Sequence, residues 1–155
     1  MIDGDERAPD PRIGALCPGL RRRGPLQQRQ RGGQVCAEAT ADPGGWRALR
    51  GAMGSTFRVP ITRAGVDRVL EAAGAHHVQV AATAARDGTA LSETSFVLPT
   101  LILLGNEGAG LPPAISKRAD QRIRIPMRDG VNSLNVGVAA ALILYEAARQ
   151  RGPGI

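Results

Sequence analysis

Apolar residues recur along this chain with two different periods, and the two alternate. Val66, Val69, Leu70 and Ala73 fall on one helical face and Gly74 follows them, so the spacing predicts a helix with a glycine stop. His77-Val78-Gln79-Val80-Ala81 alternates and reads as a strand. Leu101 to Leu104 is a continuous apolar run led in by Val97-Leu98-Pro99-Thr100, the pattern of a buried parallel strand. Arg122 to Ile125 predicts a second short strand. Ser133 to Arg149 carries the strongest helical pattern. Val136, Ala139, Ala140, Ile143, Leu144 and Ala147 share a face there, and Arg149 and Arg151 sit at the end where a helix favours cations. Around these, Trp46 to Gly54 suits a short helix closed by glycine, Thr56 to Ile61 is strand-like with Pro60 near its end, and Pro113 to Ala119 suits a short helix. Ala90 to Phe96 fits neither period, while Asp42-Pro43-Gly44-Gly45 and Arg86-Asp87-Gly88 are turns. Strands alternating with helices predict an α/β domain, a mostly parallel sheet flanked by helices.

The periods fail at the N-terminal end. Residues 1–12 are polar, and Cys17 to Gly33 has neither period. Five arginines stand between Arg21 and Arg31 with no acid among them. Such a segment is either a solvated basic stretch or an arm that contacts RNA. Regular patterning returns near Ala41. The chain is therefore divided into an irregular part, residues 1–41, and a patterned core, residues 42–155.

Composition narrows the function classes. A chain of 155 residues is one domain by size. Hydrophobic residues are 43% and aromatics 3%, which predicts an aliphatic core. A formal net charge of +6 favours polyanionic partners, nucleic acid first. Cys17 and Cys36 are too few for a disulfide scaffold and lack metal-ligand spacing, which fits a reducing cytoplasm. His76 and His77, adjacent on the expected strand, read as one surface and one core position and not as metal ligands. The first 15 residues are charged and proline-containing, unlike a signal peptide, and no apolar run reaches the length of a membrane span.

Chemistry concentrates after the two strands. Gly105-Asn106-Glu107-Gly108-Ala109-Gly110 follows the buried run, where ligands bind α/β sheets. Its glycines permit close backbone approach. It has neither the Lys-Ser/Thr of a phosphate-binding P-loop nor the glycine spacing of a dinucleotide fingerprint. Glu107 is either a structural acceptor or a functional carboxylate. Ser133 is a natural N-cap for the last helix, and Asn135, placed in the first turn, is free to point into a site. Arg50, Arg58, Arg124 and Arg128 are candidate phosphate contacts, each equally suited to a solvated face.

Three segments together are more specific than each alone. Leu103-Leu104-Gly105-Asn106-Glu107-Gly108-Ala109-Gly110-Leu111, then Ile125-Pro126-Met127, then Ser133-Leu134-Asn135-Val136-Gly137-Val138-Ala139-Ala140-Ala141 resemble the last two motifs of the SpoU family. These are RNA 2′-O-ribose methyltransferases of the SPOUT class. Ala48 to Pro60 is similar to that family's middle segment, so the resemblance covers residues 42–151. It implies a C-terminal trefoil knot, an exception to the rule against knots, with S-adenosyl-L-methionine bent inside it. By position, Gly105, Ile125 and Leu134 would bind the cofactor, and Glu107, Ser133 and Asn135 would be the polar catalytic-site residues. It also implies a homodimer joined through the knot and last helix, an RNA substrate (rRNA or tRNA), and no metal.

The first family motif, Asn-x-Gly-Ala-x-x-Arg, aligns with Arg12-Ile13-Gly14-Ala15-Leu16-Cys17-Pro18. Arg12 stands at the asparagine, or one residue has been lost, and Pro18 stands at the arginine that in the family helps activate the ribose hydroxyl, so weak or absent methyl transfer with retained cofactor binding is the expectation for this chain. The proline, glycine and arginine content of residues 17–40 resembles GC-rich codons read out of frame, and a frameshifted stretch is the expectation there. The chain opens just before the first motif, so the RNA-binding domain that often precedes it in the family is not expected. The alternatives to an active enzyme are a knotted dimer that binds RNA or cofactor without methylating, and an unrelated nucleotide-binding α/β protein.

Overall fold

The structure, a computed structural model, describes residues 32–37, 40–106, 108–128, 130–131 and 133–152. Arg12, Pro18, the basic segment up to Arg31, and Glu107 lie outside the described residues. The chain divides into two compact units after Ala72.

In the first unit, β1 (Gln34–Cys36) pairs in parallel with β2 (Ile61–Arg63). Between them lie α1 (Trp46–Gly51) and a 3-10 turn, Ser55–Phe57. The expected turn ahead of α1 is present: the Asp42 side chain accepts from the Gly44 N–H at 3.1 Å and its carbonyl from the Gly45 N–H at 3.1 Å. Two expectations are corrected. Thr56 to Ile61 is not a strand. Met53 and Gly54 both take positive φ, 47° and 84°, which reverses the chain and leaves Phe57 in a tight turn; only Ile61 enters β2. Regular structure also begins earlier than the pattern predicts. β1 falls inside residues 17–40 and ahead of the boundary placed near Ala41, and Cys36 is buried. α2 (Val66–Ala75) begins in this unit, as its 3.6 spacing predicts.

The second unit holds β3 (Gln79–Ala84), β4 (Thr89–Ala90), β5 (Thr100–Leu103), α3 (Pro113–Ser116), β6 (Gln121–Arg124) and α4 (Val136–Arg151). Its four strands run in the order β4-β6-β3-β5, and every pair is parallel. The α/β class with a parallel sheet flanked by helices is thus as the pattern predicts. β3 is central, and its Val80, Ala81 and Ala82 are buried. Ala81, Phe96, Ile123, Ile143 and Ala147 form the core between sheet and α4. The core is not purely aliphatic: Phe96 is the largest fully buried side chain, where burial contributes roughly 1.5–3 kcal/mol. His76 and His77 leave the expected strand. They form the turn after α2, both exposed, with His77 at φ 53°. Leu144, expected on the buried face of the last helix, is 60% exposed.

The end of α4 is tied to the chain ahead of β5. Gln150 accepts from the Phe96 N–H at 2.7 Å and donates to the Thr94 carbonyl at 2.7 Å. Arg151 donates to the carbonyls of Phe96 and Leu98 at 2.7 and 2.9 Å. These contacts fix the C-terminus of α4 beside the start of β5. The helix therefore runs back against the strands, and its N-terminus lies toward their C-terminal ends. No described helix is long and apolar enough to cross a membrane.

Candidate active site

The C-terminal edge of the four-stranded sheet gathers the motif loops. Ala82 pairs with Leu103 on one side of β3 and with Arg122 on the other. Gly105 and Ile125 thus leave the sheet within about one residue of the same level, two strand spacings or roughly 10 Å apart. Leu134 and Asn135 enter α4 toward that edge. The structure therefore brings Gly105 and Ile125 to one edge of the sheet, while Ser133, Leu134 and Asn135 stand at the start of α4, the end opposite the one tied to the chain ahead of β5.

Gly105 has a structural reason for being glycine. A Cβ there would collide with the backbone of Gly110 and Leu111, including the Gly110 carbonyl oxygen at 2.6 Å. The loop closes on itself through Asn106 N–H to Gly110 O at 3.1 Å and Gly110 N–H to Asn106 O at 2.8 Å. The Asn106 side chain accepts from the Gly108 N–H at 2.9 Å. Asn106 and Gly110 are thus joined by their own backbone groups, and Gly110 takes φ 67°.

At the helix start the expected cap is corrected. Asn135, not Ser133, is the N-cap: its Oδ1 accepts from the N–H groups of Gly137 at 2.9 Å and Val138 at 3.3 Å. Ser133 lies two residues ahead of the cap and is exposed. Asparagine caps as well as serine, and here the helix starts two residues later than the sequence pattern predicts. Ile125 and Leu134 are half-buried. Apolar walls of this kind beside a glycine turn suit an adenine-bearing ligand held by backbone groups, and the residues present fit S-adenosylmethionine in that respect.

A cleft of about 330 Å³ opens beside the same glycine loop, lined by Thr83, Ala84, Gly110, Leu111, Lys117 and Arg122 among others. Gly105, Ile125 and Leu134 are not among its described lining residues. Sequence reasoning missed Thr83, Lys117 and Arg122. Strand register is the signal that places Thr83 and Arg122 at this end, and it is not legible without the strand order. Gly88 stands here too, at φ 123°, with its carbonyl taking the Arg124 Nε–H at 3.0 Å. Arg124 is thus held by the turn after β3.

Residues 33–145 match the model of the SpoU rRNA Methylase family. The chain belongs to this family. The match begins at the residue before β1, so the family frame is already in place there. The chain is 33% identical over 111 residues to the 23S rRNA (guanosine(2553)-2′-O)-methyltransferase RlmP of Bacillus subtilis, covering 72% of this chain and 45% of that protein. It is 40% identical over 86 residues to the tRNA (guanosine(18)-2′-O)-methyltransferase of Aquifex aeolicus, covering 56% of this chain and 41% of that protein. Among solved structures, the AdoMet-bound rRNA methyltransferase from Sinorhizobium meliloti aligns with a TM-score of 0.72 at 30% identity, covering 88% of this chain and 49% of that one. The chain spans less than half the length of each of these relatives.

Proposed function

We propose that this SpoU-family chain is an S-adenosyl-L-methionine-dependent RNA 2′-O-ribose methyltransferase acting on rRNA or tRNA. The observation that carries the reading is that two motif segments, the turn after β5 and the segment after β6, leave a parallel sheet at the same level, with α4, the third, packed on that sheet. Gly105, Ile125 and Leu134 would hold the cofactor, with the apolar side chains as walls and the closed glycine turn offering its backbone. When bound, the cofactor supplies an electrophilic methyl group on a sulfonium sulfur. The chain's own task is to hold the ribose hydroxyl in line and to take its proton. Glu107, Ser133 and Asn135 are the polar residues that the family resemblance assigns to that task, and Asn135 also caps the first turn of α4. Pro18 occupies the position of the family's arginine, so hydroxyl activation rests on the remaining polar groups.

The trefoil knot and the homodimer belong to the same proposal. α4 supports the dimer: Val138, Leu142 and Tyr145, at i, i+4 and i+7, are exposed, forming an apolar stripe that suits a second helix face. A cytoplasmic setting follows from the RNA substrate and agrees with the low cysteine count. The test pairs isothermal titration of S-adenosyl-L-methionine with methyl incorporation into bulk RNA and mass spectrometry of the nucleosides. Binding together with new 2′-O-methyl nucleosides is expected. Methylation of a base, or no cofactor binding, would overturn the reading. Binding without incorporation would identify the non-methylating binder instead.

A further inference from the structure

From Pro43 to Val66 the chain carries no acidic residue and four arginines. Arg63 is paired with Asp42 at 3.4 Å. Arg47, Arg50 and Arg58 are exposed and make no ion pair among the described residues. The same segment displays Trp46 at 76% and Phe57 at 84% exposure, in a chain whose aromatic content is only 3%. Large aromatics in water beside guanidinium groups without an ion pair among the described residues are an unusual arrangement. Trp46 and Arg50 stand four residues apart on α1 and so share a face. Phe57 and Arg58 follow after the turn at Met53 and Gly54.

Flat apolar rings interleaved with cations match one class of partner above others. Unpaired nucleobases stack on aromatic faces while the phosphates between them take arginine. Duplex RNA hides its base faces, and the alternation of flat rings with cations follows the alternation of bases with phosphates along a single strand. We propose that α1 and the 3-10 turn after it form a platform for single-stranded RNA, with Trp46 and Phe57 stacking bases and Arg47, Arg50 and Arg58 taking phosphates. This rests on RNA being the substrate class and names the surface that grips it.

Trp46 is the only tryptophan, so the indole emission of the intact chain reports from the platform alone. Titration with an unstructured 12-nucleotide RNA should quench it saturably, while the same backbone without bases should bind more weakly and leave the emission nearly unchanged. Phe57→Ala should weaken binding about five- to 150-fold, the range for one stacked base. Arg47→Gln and Arg58→Gln should each lower the slope of log affinity against log salt by about 0.7. Both substitutions are at exposed positions, and circular dichroism checks that the variants fold. RNA that binds by anisotropy, or is methylated, without altering Trp46 emission would overturn the platform and leave the methyltransferase reading intact. Equal quenching by duplex or abasic RNA would overturn it too. So would emission that changes with protein concentration alone, which would assign the surface to a second copy. Loss of cofactor binding and of methylation in the parent chain would instead remove the reading beneath it.

Discussion

Gln150→Ala tests whether the α4 anchor carries the stability assigned to it. The carboxamide accepts from the Phe96 N–H and donates to the Thr94 carbonyl, both at 2.7 Å. Phe96 is 0% exposed and Thr94 2%, so truncation leaves a donor and an acceptor without partners at a buried position. Each orphaned backbone group costs about 1–3 kcal/mol. Gln150 is itself half-buried, so water partly reaches the gap and the lower part of the range applies, about 2–4 kcal/mol in all. For a domain of this size that lowers Tm by roughly 5–15 °C. Gln150→Glu keeps the acceptor, loses the donor and places a carboxylate beside Glu146, so it should recover only part of the loss. Arg149→Ala is the contrast. Arg149 pairs with Glu146 at 2.7 Å but its side chain is 61% exposed, and the change should move Tm by less than about 2 °C. Thermal unfolding followed by circular dichroism decides. If Gln150→Ala and Arg149→Ala melt alike, the buried bonds to Thr94 and Phe96 are not what holds the helix end.

Three further outcomes follow from the site and the helix. Gly105→Ala forces the glycine turn open and breaks the Asn106–Gly110 pair; titration should show cofactor affinity reduced at least about tenfold with the far-ultraviolet spectrum retained, each broken bond being worth about 0.5–1.5 kcal/mol. Asn135→Ala removes the cap of α4 at a cost of about 1 kcal/mol, whereas Ser133→Ala should leave the denaturation midpoint unchanged; the reverse ranking would restore Ser133 as the cap. The Arg149 hydrogen bond, with that of Gln150 second, lowers the Glu146 carboxyl from 4.5 to about 2. Its folded pKa lies below the unfolded one, so the contribution is complete above about pH 4.5 and is lost as pH falls toward 2. Acid titration of Glu146→Gln against the parent should show a shallower loss of stability in that window.

Much of the second unit is legible in the sequence because its signals are redundant. Leu101 to Leu104, a short apolar run, and Arg122 to Ile125, a strict alternation, announce strands within a residue of their true ends. α4 is announced by period and by its arginine-rich end, but its cap is not, because Ser133 and Asn135 are both good caps and only the backbone decides. The exposure of Leu144 is hidden for a related reason: an apolar helix does not say which side its own chain will cover. Thr56 to Ile61 misleads through β-favouring residues in a segment that a glycine and Met53 at positive φ have already turned. β1 escapes notice because three residues, Gln34-Val35-Cys36, are too few to show a period beside a glycine- and arginine-rich stretch. At the site, the motif glycines read as ligand-facing, yet Gly105 is first required by the loop's own closure. Thr83 and Arg122 are invisible until the strand order is known.

That order also bears on how the chain is made. β6 lies between β3 and β4 although it is synthesised after both. Thr89 waits for Ile123, its partner, which emerges thirty-four residues later. β3 can pair with β5 as soon as Leu103 appears, but its other edge stays open until Gln121 to Arg124 arrive. A nascent chain stopped before that point carries a sheet with a vacant lane and an unpaired strand edge, the kind of surface on which chains associate wrongly. Closing that lane is a long-range step, slow by the measure of sequence separation. α4 follows β6, and only then do Ile143 and Ala147 seal Ala81 and Phe96 from water. The strand that leads to Ile125 is therefore also the one that closes the sheet's open lane during synthesis.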